Sequence, residues 1–140
     1  MPPAPRVDAQ DAVWNDLREA CGANAFAGPD RFAVLGTRGR ASVQVSRWSA
    51  QGTTWVVAAA RVAPAHAARA EDMLRHNAAL AVGAMCIEDG QLIIRHAAPL
   101  AGVDVAHTVR AVALLGKEAA RLAAALGTTS GTNLFSNFAD

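Results

Sequence analysis

Tyrosine is absent from this 140-residue chain, and only three tryptophans and four phenylalanines stand in for it, so aromatics make up 5% of the residues. A core built under that restriction is assembled from small aliphatic side chains, and each large ring carries a disproportionate share of the packing. Trp14, Trp48, Trp55, Phe26 and Phe32 are the expected anchors. Cysteine is scarce too. Cys21 and Cys86 stand too far apart for a CxxC site, and a pair of thiols without a secretory leader reads as reduced and cytoplasmic. Lysine occurs once, at Lys117, and arginine supplies the remainder of the 13 basic residues against 12 acidic ones. The resulting net charge of +1 lacks the basic footprint of a nucleic-acid binder. No run approaches the roughly 18 apolar residues of a membrane span, and the opening Met1-Pro2-Pro3-Ala4-Pro5-Arg6 has no apolar stretch of a signal peptide. These absences point to a cytoplasmic globular domain with neither nucleic acid nor membrane as partner.

What is present orders itself by period. Asp8 is the expected N-cap of a first helix over residues 9–21, where Val13, Trp14, Leu17, Ala20 and Cys21 recur at helical spacing and Gly22 supplies the stop. The period then changes to two. Phe32 and Val34 alternate, as do Val43 and Val45 after Thr37-Arg38-Gly39-Arg40, and Trp55, Val57 and Ala59 after Gln51-Gly52. Pro64 suits the first turn of a second helix, whose apolar side is Ala67, Ala70, Met73, Leu74 and Leu80. Asp89-Gly90 between apolar runs is a strong hairpin signal, because a type I′ turn needs positive φ at both central positions. It pairs strands over residues 81–87 and 92–97. Pro99 leads out of the sheet, and Gly102 with Asp104 opens a last helix over residues 105–126. The fold class is therefore α+β: helix, three-stranded antiparallel meander, helix, β-hairpin, long helix. Residues 9–126 form one domain, residues 1–8 a flexible N-terminus, and residues 127–140 a polar tail with Leu134, Phe135 and Phe138 near its end.

Candidate sites are few. The last helix is apolar on two sides, with Val109, Val112, Ala113, Gly116 and Ala120 on one and Leu115, Leu122 and Leu126 on the other, so it needs two surfaces to pack against. One is its own sheet, and the other is expected to be a second subunit approached by the small-residue side. Trp55 shares parity with Val57 and Ala59 and is expected in the core. Trp48 shares parity with Ser42, Gln44 and Ser46, which makes it either a ring packed under a loop or a partner contact. Together with Arg38, Arg40 and Arg47 it marks the candidate docking surface. Gly36-Thr37-Arg38-Gly39-Arg40 matches no phosphate-loop pattern and reads as an exposed turn. His66 and His76 stand ten positions apart on the second helix, about 1000° at roughly 100° per residue, and so face opposite sides. His96, His107 and Asp104 are conceivable neighbours, yet nothing local supplies a further zinc ligand. Cys86 shares strand parity with Val82 and Ala84 and is expected to be buried. No catalytic residue, metal site or cofactor is expected.

The element order resembles that of the class I type III secretion chaperones (the Tir chaperone family) and of the related YbjN-type sensory transduction regulators. The residues that carry the resemblance are Met73-Leu74-Arg75-His76-Asn77-Ala78-Ala79-Leu80, the hairpin Ala84-Met85-Cys86-Ile87-Glu88-Asp89-Gly90-Gln91-Leu92-Ile93-Ile94, and Ala98-Pro99-Leu100-Ala101-Gly102-Val103-Asp104. It implies a non-enzymatic homodimer that holds an extended segment of a client protein. Secretion chaperones of this type are usually acidic whereas this chain is near neutral, which keeps a YbjN-like domain binding a signalling protein as the alternative. A third reading, a small-molecule binder or thiol/histidine enzyme, would use His96, His107 or Cys86.

Overall fold

The computed structural model describes residues 9–22 and 25–126, with the backbone alone for residues 25–27. The elements run α1 (Ala9–Ala20), β1 (Ala25–Gly28), β2 (Arg31–Val34), β3 (Val43–Ala50), β4 (Thr53–Pro64), a 3₁₀ turn (Ala65–Ala67), α2 (Ala70–Ala79), β5 (Ala84–Glu88), β6 (Gln91–Pro99) and α3 (Val105–Ala125). The six strands form one antiparallel sheet in the order β1-β2-β3-β4-β6-β5. The expected fold class holds, with one strand more than the sequence shows. That strand, β1, is only Ala-Phe-Ala-Gly, too short to display alternation. Pro64 ends β4 and Pro99 ends β6, and α2 starts later than the proline signal suggests. The expectations for Asp8, for the Phe26 side chain, for the N-terminus 1–8 and for the tail 127–140 concern residues outside those described.

α1 and α3 lie against the same face of the sheet and touch each other, while α2 packs beside β5. The core between them holds Trp14 and Leu17 of α1, Phe32, Val43, Val45, Val56, Ala58, Leu92 and Ile94 of the sheet, and Val112, Leu115, Ala119 and Leu122 of α3. Trp14 is 1% exposed. Its ring tilts against Phe32 at 5.1 Å between centroids, and its Nε1 donates to the Pro29 carbonyl at 2.9 Å, so the indole is satisfied on both its apolar and its polar side. α3 is capped as the sequence indicates, Asp104 Oδ1 accepting from the His107 N–H at 2.9 Å. Asn77, at the end of α2, works as a surrogate strand for β5: its side chain donates to the Met85 carbonyl and accepts from the Met85 N–H. A sheet edge exposes backbone groups that must be satisfied or shielded, and this one amide occupies two of them.

The β3–β4 hairpin decides which side chains face where. Gln51 and Gly52 both have positive φ, 54° and 77°, which makes the two-residue turn that matches strand twist. Such a turn sets Ala50 opposite Thr53, and from there Trp48 opposite Trp55, Arg47 opposite Val56 and Val45 opposite Ala58. Since Val45 points into the core, its partner Ala58 does as well, and with it the residues in phase along β4, Val56 and Ala60. Trp55 therefore does not face the core as its apolar neighbours suggest. It stands beside Trp48 on the opposite face. β4 is apolar on both sides, so alternation within the strand alone carries no parity.

Candidate protein-binding face

The face opposite α1 and α3 carries Arg31 and Ala33 from β2, Gln44, Ser46 and Trp48 from β3, Trp55, Val57 and Ala59 from β4, Ile93, Arg95 and Ala97 from β6, and Cys86 from β5. The face is concave. It holds two adjoining grooves of about 850 and 520 Å³ that share Gln44, Ala59, Glu88 and Asp89, which makes them one surface crossed by the tip of the β5–β6 hairpin. Trp48 is 45% exposed on it. Trp55, its cross-strand partner, is half-buried and donates from Nε1 to the Ala50 carbonyl at 3.4 Å, which fixes that indole at the hairpin end. Val57 and Ile93 form the buried floor. A directly opposed aromatic pair is a strong cross-strand contact, and here it presents one ring outward where no helix among the described residues covers it.

The other members of the expected docking surface lie elsewhere. Arg47 alternates with Trp48 and so points to the helix side. There it donates from Nη1 to Asp11 Oδ1 at 2.6 Å and from Nε to Asp30 Oδ1 at 2.9 Å, with its guanidinium carbon 5.3 Å above the Trp14 ring. Those two carboxylates keep the guanidinium charged and raise its pKa despite the opposing effect of burial. Arg47 thus clamps α1 to the sheet and is not available beside Trp48. Arg38 and Arg40 are exposed on the β2–β3 loop, which is pinned by Gly36 N–H to Ser42 Oγ, 2.7 Å, and Ala41 N–H to the Gly116 carbonyl, 2.9 Å. Trp48 is five residues along β3 from Val43, about 17 Å at 3.3 Å per residue, so the loop arginines and the tryptophan are at opposite ends of the strand.

On α3 the expected interface residues divide. Val112 and Gly116 are buried within their own chain, Gly116 so close to the β2–β3 loop that an added Cβ would meet the Ala41 carbonyl oxygen at 2.8 Å. They belong to the core and not to a second subunit's contact. Val109, Ala113 and Ala120 remain half-buried on the flank. Larger apolar side chains are exposed outside the expected interface: Leu74 on α2 at 69% and Ile87 on the neighbouring β5 at 56%. Leu74 sat within the expected apolar side of its helix, but α2 is short and only Met73 is buried.

Burial pushes the Cys21 thiol up to about 11, and it raises Cys86 as well, partly offset by Arg95. In both cases burial disfavours the thiolate. His66 and His107 are exposed, His76 and His96 half-buried, and among the described residues no group of three His, Cys, Asp or Glu side chains could hold a metal ion.

No protein-family model and no curated protein matches this chain. Solved structures do. A chain from the HopA1–SchA chaperone–effector complex superposes with a TM-score of 0.61 at 11% identity, over 84% of this chain and 98% of that one. The chain has a secretion-chaperone-like fold. YbjN from E. coli superposes with a TM-score of 0.50 at 18% identity, over 83% and 94% of the respective chains. One is from a chaperone–effector complex and the other is YbjN, in keeping with the resemblance noted in the sequence. At such identities the likeness concerns backbone architecture, and what this chain binds has to be argued from its own side chains.

Proposed function

We propose that this protein is a non-enzymatic, protein-binding homodimer that holds an extended segment of a client protein across its concave sheet face. The observation that carries the proposal is Trp48, exposed and paired with Trp55 on a face without a covering helix. Tryptophan and arginine are enriched in interface hot spots, and the groove that exposes Trp48 is lined also by Arg31 and Arg95; an extended peptide is the ligand shape that fits such a groove. The HopA1–SchA neighbour is a chaperone bound to an effector, which supports a polypeptide partner for the same fold here. No helix among the described residues is long and apolar enough to cross a membrane.

Trp48→Ala removes an exposed ring and should change stability by less than about 1 kcal/mol. Capture of the client from the native host, identified by mass spectrometry, should fall sharply. Undiminished capture would refute the assignment of the face. Dimerisation is proposed through the α3 flank of Val109, Ala113 and Ala120. Ala113→Glu should shift the sedimenting species toward monomer, because an unpaired charge desolvated in an interface is unfavourable. A wild-type protein that sediments as a monomer at micromolar concentration would overturn it.

A further inference from the structure

The concave face spaces its free cations at the repeat of a β-strand. Paired residues cross the sheet in rows, and successive rows on one face stand two residues apart, about 6.6 Å. The first row holds Trp48 and Trp55. The second runs from Arg31 through Ser46 to Val57, and the third from Gln44 through Ala59 to Arg95. Ser46, Val57 and Ala59 are short side chains, so a channel follows β3 and β4 with Trp48 at one end, Arg31 on the β2 bank, and Arg95 one row further on along the β6 bank. Each arginine starts about one and a half strand spacings, about 7 Å, from the channel's midline.

The charges of this groove are unevenly committed. Arg47 is engaged by Asp11 and Asp30, whereas among the described residues neither Arg31 nor Arg95 forms an ion pair. Two such cations on the walls of one groove attract an anionic ligand. The acids that line it are placed elsewhere. Asp30 is held by Arg47, and Glu88 and Asp89 stand at the tip of the β5–β6 hairpin, where Glu88 pairs with Gln91, two rows beyond Arg95. A carboxylate meets a guanidinium in a charge-assisted pair, and an extended chain turns every second side chain to one face at the same repeat of about 6.6 Å. Ligand and site then share a period, and Gln44 and Ser46 on the floor supply partners for the ligand's peptide groups.

We propose that this face takes an acidic extended segment of a partner protein, with an aromatic residue stacked on Trp48 and carboxylates at the second and fourth positions from it, paired with Arg31 and Arg95 in that order. The pattern counts in twos from the ring, so it is the same whichever way the segment runs. The inference rests on the reading that the concave face is the docking site, and it adds the chemistry that the site selects. The test titrates the full chain with a short threonine-rich peptide that carries one phenylalanine and glutamates at the second and fourth residues after it. Controls have the glutamates moved by one residue or replaced by glutamine. The indole N–H resonances are the readout, with Trp14, 1% exposed, as the internal reference.

The Trp48 indole should shift saturably while Trp14 does not move, and either control should bind about tenfold more weakly or worse. Arg31→Gln and Arg95→Gln, each verified as folded by circular dichroism, should weaken the acidic peptide by about the same factor. Arg95→Glu should restore binding to a peptide whose farther glutamate is replaced by lysine. Equal affinity for the shifted or the glutamine peptide would overturn the proposal, as would no saturable shift with the acidic one. Tighter binding of a single-stranded oligonucleotide would also overturn it, by assigning the arginines to phosphate. Client capture separates this inference from the one beneath it: if capture depends on Trp48 while the acidic pattern is not preferred, only the stated chemistry is refuted.

Discussion

Gly116→Ala is a test in which local and tertiary physics have opposite signs. In the interior of a helix, alanine is favoured over glycine by about 1 kcal/mol, so an unconstrained α3 would be stabilised. The packing of α3 reverses this. The new Cβ would lie 2.8 Å from the Ala41 carbonyl oxygen and 3.3 Å from Val43 Cγ2. Even close carbon–oxygen contacts in proteins lie near 3.3 Å, so helix or loop must retreat by about 0.5 Å. The retreat loads the hydrogen bond from Ala41 N–H to the Gly116 carbonyl, 2.9 Å, which ties the same two segments together. Overpacking typically costs about 1–3 kcal/mol and a weakened hydrogen bond up to about 1. Set against the propensity gain, the net is a loss of up to about 3 kcal/mol, or up to roughly 12 °C in melting temperature for a domain of this size. Thermal melting by circular dichroism, with a urea titration to verify an unchanged m-value, measures it. A raised melting temperature would refute the close approach. A loss that vanishes at high protein concentration would instead return Gly116 to a subunit interface.

Three further outcomes follow from other contacts. Arg47→Met keeps a long apolar stem but releases Asp11 and Asp30, and should destabilise by about 1–2 kcal/mol while increasing amide exchange in α1; exchange as slow as wild type would show that α1 is held by Trp14 and Leu17 alone. Asn77→Ala leaves the Met85 N–H and carbonyl without their partner, which should cost about 1–3 kcal/mol and promote aggregation through the β5 edge, seen by light scattering; a soluble variant of unchanged stability would refute the surrogate-strand role. For Cys21, the folded thiol titrates near 11 against an ordinary 9.0, so the native state holds its proton more tightly than the unfolded chain does. Its stabilising contribution is complete below the ordinary value and is lost as the pH rises toward 11, so melting temperature should decline over that window and Cys21→Ala should flatten the decline. An identical alkaline profile in the variant would remove Cys21 as the cause.

The parts of the fold legible in the sequence were those with local chemistry. Asp89-Gly90, Gly22 and Asp104 each act within a few residues, and the structure has the turn, the helix stop and the cap at those positions. What local pattern did not carry was the facing of β4. Trp55, Val57 and Ala59 alternate with Val56, Ala58 and Ala60 in a strand that is apolar throughout, so the core side is decided by β3 across the turn and not by β4 itself. The signal was present one step away: a two-residue connection at Gln51-Gly52 forces Trp48 and Trp55 to be partners. For the site, the polar strand neighbours of Trp48 took it off the core side but left a ring packed under a loop and a partner contact as alternatives, and the structure exposes it. The engagement of Arg47 left no such sign, because Asp11 and Asp30 are distant in sequence and meet it only once α1 lies on the sheet.

The pairing of β4 with β6 bears on how the chain emerges from the ribosome. Ala58 lies against His96, with α2 and β5 synthesised between them, whereas β1 through β4 each pair with the strand next in the chain. Vectorial synthesis lets the first four strands zip locally while one side of β4 still lacks its neighbour and α3 does not yet exist. During that interval the nascent chain displays an unpaired strand, Thr53–Pro64, that is apolar on both sides. Completion of the fold therefore waits for the last helix, and the period of greatest vulnerability to misassociation falls before it is made.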